Sequence, residues 1–401
     1  MKPGRWPSIL TVYGFGVLAV VAVAKFIPLI GDTGQHLGAT AQQHAWLIAL
    51  IGIPAALLAA ISGALIDRFG ARETLIASGL VGALANVGYF FAPTMAGFQE
   101  ARLLEGMALV GIFSAGPALL MSTTEGRRRI VAMTFWSTYT PTGFSLGLMI
   151  AVAFAGRSNW RMVFALHGAL LLFMALLATQ LPKATAATVA GAEIGSPHSI
   201  IGRWRELISA YRQRPAMQLA LAFFLIVSIG FGTSTILPAT IARAHGIGVA
   251  ESARWIALAN LMMIVGAFVV AALLARGTSV RLVMVALAIG CSVCGILLFN
   301  PAIALHLTIA ALFLWSLLMG ASMALLIAAL PRIAPPTQRA AAAGLLSQSS
   351  AIATFANPPI WQALLANGAW LPVAALVASG WLAATVVLAL LPAVDRSDAH
   401  S

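Results

Sequence analysis

The sequence predicts an all-α membrane protein with twelve transmembrane helices in two six-helix, pseudo-symmetric halves. Three observations carry that expectation. The chain of 401 residues is 61% hydrophobic and only 8% charged, against roughly 25% charged residues in a soluble protein, so most of it has lipid as its solvent. Its apolar runs are long, continuous and rich in Ala, Leu and Gly. They match the about 20 residues that a spanning helix needs, not the about 10 alternating residues of a membrane strand. The chain also repeats itself. Pro28 and Pro238, Arg129 and Arg339, Trp160 and Trp370, and Pro182 and Pro392 each stand 210 positions apart (238 − 28 for the first pair), and Trp46–Trp255 and Arg72–Arg281 stand 209 apart. Two weak copies of one six-helix pattern point to a polytopic protein that works between its halves.

In chain order, helix 1 is read at 8–30. Lys2 and Arg5 before it, and Ala22 and Ala24 near its end, imitate a secretory signal. The run is too long for a signal core and has a repeat partner at 217–240, so it is expected to be retained. Helices 2 and 3, at 44–66 and 74–93, are joined by a short charged loop. Helix 4, at 98–121, carries Arg102 and Glu105. Helix 5, at 130–155, contains Pro141, which permits a bend, and Gly143 and Gly147, which make a small face for close helix contact. Helix 6, at 160–181, carries His167.

A polar, basic stretch follows, with Lys183, Arg203, Arg205, Arg212 and Arg214. The organisation is therefore an N-terminal six-helix bundle at 1–182, a cytoplasmic linker at 183–215 and a C-terminal six-helix bundle at 216–401. The second set of helices is read at 217–240, 252–274, 279–300, 302–328, 340–364 and 369–392. Cys291 and Cys294 in helix 9 have no acid or histidine beside them and read as packing residues, with no metal site expected. Helix 11 carries Gln348, Asn357, Pro358, Pro359 and Trp361; the double proline frees backbone carbonyls that must face protein or a cavity.

A net charge of +12 raises nucleic acid as a partner, and its placement argues against it. Lys2, Arg5, Arg68, Arg72, Arg127, Arg128, Arg129, Arg276, Arg281, Arg332, Arg339 and the linker cluster all fall on one side of the twelve-helix arrangement. Arg157, Arg161, Arg243 and Arg254 edge the other side. This asymmetry follows the positive-inside rule and places both termini in the cytoplasm of a bacterial-type inner (plasma) membrane. A monomer in the lipid bilayer is expected.

The loop between helices 2 and 3 reads Gly63-Ala-Leu-Ile-Asp67-Arg68-Phe-Gly70-Ala-Arg72. It resembles the G-x-x-x-D-R-x-G-x-R signature of the major facilitator superfamily, and Arg102-x-x-x-Gly106 resembles that family's second signature. With the twelve helices and the six-plus-six repeat, the resemblance covers nearly the whole chain. It implies a secondary transporter in which the loop of Gly63, Asp67, Arg68, Gly70 and Arg72 latches the halves together in one conformation. In the second half the matching loop, Arg276 to Arg281, lacks the acid, so any latch is one-sided. Pro141-x-Gly143 after a basic loop resembles the cyanate-permease-like branch. Helix 5 also partly resembles the Pro/Gly-rich motif of proton antiporters, without its Gly-Pro order.

Few ionisable groups lie inside the apolar runs, and a charge at the bilayer centre costs about 2.5–3.5 kcal/mol on insertion scales. Lys25, Arg102 and Glu105 fall in the outer part of the first half, within reach of one polar cavity. Lys25 reads either as snorkelling to the interface or as a contact for an anionic substrate; its repeat mate is the uncharged Thr235. Arg102 and Glu105 read either as a neutralising i, i+3 pair or as substrate contact and proton-coupling site respectively. His167 and His306 read as packed or hydrogen-bonded histidines, with proton carriage as the alternative. Trp136, Tyr139, Asn260, Trp315 and Gln348 are further candidates for substrate contact.

No nucleotide-binding loop, catalytic triad or zinc motif occurs, so neither an enzyme nor a bound cofactor is expected. The leading expectation is a secondary active transporter working by alternating access, carrying a small organic anion with protons or in exchange. The alternative is a proton-driven drug or metabolite efflux pump.

Overall fold

The computed structural model describes residues 5–182, 211–333, 339–366 and 370–390. Within these stretches the side chains of 59–65, 67, 130, 331–333, 339–341, 343 and 344 are outside the described set. The described residues form helices and no strands. They fall into two compact units, Met1–Arg205 and Glu206–Ser401. The predicted linker lies mostly outside the described residues.

In the first unit α1 (Trp6–Ala24) leads through a 3-10 turn (Ile27–Leu29) into α2 (Ile30–Leu37). Then come α3 (Ala41–Ala49), α4 (Gly52–Phe69), α5 (Ala71–Phe91), α6 (Met95–Thr123), α7 (Gly126–Ser137), α8 (Tyr139–Phe154) and α9 (Met162–Ala178). The second unit holds α10 (Arg214–His245), α11 (Val249–Asn260), α12 (Met262–Ala275), α13 (Val280–Phe299), α14 (Leu305–Ile333), α15 (Arg339–Ala366) and α16 (Trp370–Ala389). Nine described stretches are long and apolar enough to cross a membrane on those grounds alone. Joining segments that continue one another (α1–α2, α3–α4, α7–α8, α11–α12) gives six spans in each unit. Large apolar side chains such as Phe91, Leu282 and Leu382 stay exposed, as a lipid-facing surface requires. The chain is a multi-pass, all-α membrane protein.

The six-helix pattern recurs within each unit. In the first, span 1 packs on span 5, span 2 on span 4, and span 3 on spans 4 and 6. In the second, the same pairings recur as 7 on 11, 8 on 10, and 9 on 10 and 12. Close approaches depend on glycine. A Cβ at Gly143 would stand 2.4 Å from the Val17 carbonyl oxygen, and one at Gly147 would stand 2.8 Å from the Ala24 Cβ. The predicted small face of span 5 is thus pressed onto span 1.

Four spans predicted as continuous helices are broken, three of them at a proline and the fourth between Asn260 and Met262. Proline removes the N–H that the carbonyl four residues earlier needs, and its ring clashes with that carbonyl. Pro28, Pro54 and Pro141 act on Ala24, Leu50 and Ser137, where α1 ends, where α3 has just ended and where α7 ends. Each proline then sits in the first turn of the next helical segment, where its missing N–H is no loss. Thr40 starts α3 with a capping box to Gln43. One consequence corrects the sequence reading. Asp32, two residues beyond the end predicted for helix 1, lies inside α2, is buried, and accepts the Gly156 N–H at 3.0 Å.

Two arginines fasten spans 3 and 6 at opposite ends. Arg72, at the start of α5, donates to the Ala178 carbonyl at 3.3 Å and to Thr179 O at the end of α9. Arg161, just before α9, donates to the Phe90 and Ala92 carbonyls at 3.0 and 2.7 Å, at the end of α5. The last carbonyls of a helix have no partner inside it and carry its negative dipole end, so both arginines sit where a cation is favoured.

Candidate functional site

The candidate site starts from the breaks in spans 1 and 2. They leave last-turn carbonyls without helical donors, and Arg102 on α6 takes three of them. Its Nη1 donates to Ala22 O at 2.6 Å, its Nε to Leu47 O at 3.0 Å and its Nη2 to Ile48 O at 3.3 Å. The guanidinium carbon stands 4.5 Å from the centre of the Phe26 ring, a cation–π distance. Gly106, one turn on, lets α6 approach Ile51 and Pro54, where a Cβ would fall 2.7 Å from the Ile51 carbonyl. Arg102 thus ties spans 1, 2 and 4 together.

Glu105 is the counter-charge. Its Oε2 accepts from Arg102 Nη1 and from Tyr89 Oη, both at 2.9 Å. Its Oε1 accepts from Lys25 Nζ at 2.6 Å and from Asn86 Nδ2 at 3.3 Å. Four donors meet two oxygens, which fills the lone-pair directions of a carboxylate and holds Glu105 as an anion.

Lys25 caps the end of α1, where a cation faces the negative end of the helix. Its ammonium has three N–H groups and three acceptors: Asn86 Oδ1 at 2.6 Å, Glu105 Oε1 at 2.6 Å and His167 Nδ1 at 2.9 Å. The other nitrogen of His167, Nε2, lies 3.0 Å from the Leu18 carbonyl. A carbonyl only accepts, so the proton is on Nε2, and Nδ1 offers its lone pair to Lys25. Lys25, Arg102, Glu105 and His167 are all fully buried, at 0% exposure. Phe26, Tyr89, Phe98, Phe164 and Trp160 stack into a lid of rings beside them.

The structure therefore brings Lys25, Arg102 and Glu105 into one cluster, as the sequence reading expected, and fills the space between them with one another. Lys25 does not snorkel. The i, i+3 pair of Arg102 and Glu105 forms, and His167 is packed and hydrogen-bonded. Asn86 and Tyr89 were missed. Their only sequence signal is two polar groups, i and i+3, inside an apolar run. His306, expected to be packed, is exposed at the start of α14.

The remaining candidates divide by unit. Trp136 stacks on Tyr139 at 4.7 Å, and Tyr139 on Phe113 at 5.5 Å. Trp136 fills the gap left by Gly16 and Gly116. Beside them Tyr13 Oη donates to Thr142 Oγ1 at 3.0 Å and lies 3.1 Å from Thr138 Oγ1. In the second unit Asn260 ends α11 and is buried, and its Nδ2 has no hydrogen-bond partner among the described residues. Trp315 is buried, and Gln348 accepts from Tyr211 Oη. No hydrogen bond or ring contact joins Asn260, Trp315 and Gln348 to one another among the described residues. Of the loop motif, Arg72 serves the end of α9, Arg68 is exposed, and Gly70 turns the chain at φ 90°. The side chains of Gly63 and Asp67 lie outside the described residues.

Comparisons with known proteins bear on the same chain. A family model for the Major Facilitator Superfamily matches residues 9–358. The niacin transporter NiaP of Acinetobacter baylyi is 21% identical over 57% of this chain and 57% of its own length. An arabinose-proton symporter of Escherichia coli K12 is 26% identical over 41% of this chain and 35% of its own. The multi-drug resistance efflux pump PmrA of Streptococcus pneumoniae is 28% identical over 43% and 44%. The chain thus spans about a third to three fifths of the length of these curated relatives. Among solved structures, the nucleoside transporter NupG superposes with a TM-score of 0.74 at 13% identity, covering 95% of this chain and 99% of that one. A bacterial homolog of the human lysosomal transporter Spinster gives 0.69 at 14% identity, covering 98% and 95%. At such identities the likeness concerns the fold.

Proposed function

The chain belongs to the Major Facilitator Superfamily, and from that premise we propose that it is a secondary active transporter, not an enzyme, moving a small organic anion by alternating access with protons or in exchange. The observation that carries this reading is the buried cluster. Lys25 and Arg102 bring two positive charges, Glu105 brings one negative, and His167 is neutral by its hydrogen bonding. One positive charge is left over at membrane depth. In a medium of low dielectric its field is weakly screened and attracts an anion. A relative named for niacin, whose carboxylate is ionised near neutral pH, supports the anion. A relative named as a proton symporter supports coupling to protons.

The geometry of the cluster supports the first of these roles. Lys25 and Arg102 are the electropositive elements, and Glu105 is the coupling carboxylate. A substrate anion that draws on either cation loosens the hold on Glu105 and lets it take a proton. Trp136 and Tyr139 offer an aromatic wall for an apolar ring. In the second unit Asn260 has an amide donor to give, and Trp315 and Gln348 are further contacts. Gly63, Asp67, Arg68, Gly70 and Arg72 form the conformational latch. The placement of Lys and Arg favours a bacterial-type inner membrane with both termini cytoplasmic, and the working unit is a monomer.

The test is uptake of labelled nicotinate and other small carboxylates into proteoliposomes, with and without an imposed pH gradient. Accumulation driven by the gradient and lost in Lys25→Ala is the expected result; a Lys25→Ala variant with unchanged kinetics removes Lys25 from the site. A second reading, proton-driven efflux of drugs or metabolites, is favoured by the likeness to PmrA and by the Pro141, Gly143 and Gly147 pattern in span 5. Gradient-driven transport of a lipophilic dye, with no transport of carboxylates, would select it.

A further inference from the structure

We propose that protons enter the Glu105 cluster at Nδ1 of His167, and that this protonation expels Lys25 from the cluster and so acts on the break in span 1. The inference rests on the proton-coupled reading above and names the group that receives the proton before Glu105 does.

The hydrogen bonds around Lys25 and Glu105 leave few sites for a further proton. All three Lys25 N–H groups have acceptors. Both oxygens of Glu105 are filled by donors. Asn86 fixes its own orientation by donating Nδ2 to the Gly82 carbonyl at 2.8 Å. Among the basic atoms here, Nδ1 of His167 is the one whose lone pair is held by a single donor, Lys25.

The groups around that nitrogen are Lys25 from span 1, Asn86 and Tyr89 from α5, and Arg102 and Glu105 from α6. α8, also packed on α9, carries no acid, lysine, arginine or histidine. When Nδ1 gains a proton, an N–H bond forms and the Lys25 hydrogen bond to that nitrogen breaks. Two donors then face each other across the present 2.9 Å, and both carry positive charge. The new N–H has acceptors at hand, since Asn86 Oδ1 stands 3.2 Å and Glu105 Oε1 3.6 Å from Nδ1. The imidazolium keeps the carboxylate, and Lys25 is the group that must leave.

Lys25 is also the C-cap of α1, immediately before the 3-10 turn at Ile27–Leu29. Its displacement bears on the segment where span 1 has already given up helical hydrogen bonds. His167 is thus a positioning residue: it moves span 1 through Lys25 and does not touch substrate.

The experiment uses the full chain in nanodiscs, labelled with nitrogen-15 at histidine and lysine. The histidine ring whose Nδ1 couples to a lysine ammonium identifies His167 without a variant. On acidification to the lowest pH at which the fold persists, that ring is expected to become doubly protonated as its coupling to lysine disappears. A ring that stays singly protonated, or a coupling that survives double protonation, overturns the proposal. In proteoliposomes with nicotinate, His167→Gln should bring the ratio of gradient-driven accumulation to gradient-free exchange down to one. A wild-type ratio in that variant overturns the inference and leaves proton coupling standing. A wild-type protein that transports nicotinate but ignores the gradient overturns the coupling reading and the inference with it, even where the ring titrates as expected.

Discussion

Pro28 and Pro238 are repeat mates, and the two units treat them differently. In the first unit the helix stops at Ala24 and a remote side chain fills the gap, with Arg102 donating to the Ala22 carbonyl at 2.6 Å. In the second, α10 runs unbroken from Arg214 to His245 with Pro238 inside it. The mate of Ala22 is Gly232, and its carbonyl accepts Thr235 Oγ1 from three residues along, at 2.7 Å. Thr233 and Ser234 do the same for the Ile229 and Gly230 carbonyls. Ahead of Pro238 three hydroxyls bond to carbonyls of their own helix, which is unbroken. Ahead of Pro28 the helix breaks and a cation from another span takes a last-turn carbonyl. The same offset of 210 sends Lys25 to Thr235, Arg102 to Leu312, Glu105 to Trp315 and His167 to Val377. Thus the second unit keeps the scaffold and replaces the charged cluster with one hydroxyl and three apolar side chains. A charge cluster in a dry core is not needed to build this bundle, which makes its presence in one copy informative about what that copy does.

Five substitutions would break or sharpen the contrast. Glu105→Gln should have a large effect, matched only by Arg102→Leu, because it leaves two buried cations without a counter-charge. A loss of about 3–5 kcal/mol is expected, read as a large fall in the unfolding temperature in detergent. Adding Lys25→Met should return part of it, and a double change that is merely additive would show that the two charges do not stabilise each other. Arg102→Leu, which copies the second unit, strands the Ala22, Leu47 and Ile48 carbonyls at about 1–3 kcal/mol for each group left unsatisfied. Hydrogen exchange at residues 22–30 should rise with it.

Gly143→Ala places a Cβ against the Val17 carbonyl and should cost about 1–3 kcal/mol by overpacking. A neutral result in a thermal melt would mean that span 5 can back away from span 1. Thr235→Val should be the mildest, at about 0.5–1.5 kcal/mol for one hydroxyl-to-carbonyl bond. If it proved as damaging as Arg102→Leu, the idea that the second unit solves its proline locally would fail.

Much of the fold was legible because lipid imposes a simple code. Length and apolarity of the runs marked the spans, and sparse Pro, Trp and Arg marked the repeat. The breaks were not legible. Pro28, Pro54 and Pro141 interrupt their spans, whereas Pro117, Pro238, Pro358 and Pro359 sit inside continuous helices. The presence of a proline alone does not tell the two groups apart. The site was legible as far as its charges. Lys25, Arg102 and Glu105 stood out as ionisable groups in apolar runs, while Asn86 and Tyr89 drew no notice because neutral polar residues are common in such helices. That His167 completes the lysine's hydrogen bonding follows only from the packing of α9 on α1, which places residues 142 positions apart at 2.9 Å.

The crossed arginines of spans 3 and 6 have a mechanical corollary. Arg72 clasps the tail of α9 and Arg161 clasps the tail of α5, so each rod is pinned at the point where its neighbour begins. Neither can be drawn out along its axis without unclasping both. Pulled from one end with an atomic-force tip, the two rods should leave the bilayer together in a single rupture, and cutting either clasp should split that event in two.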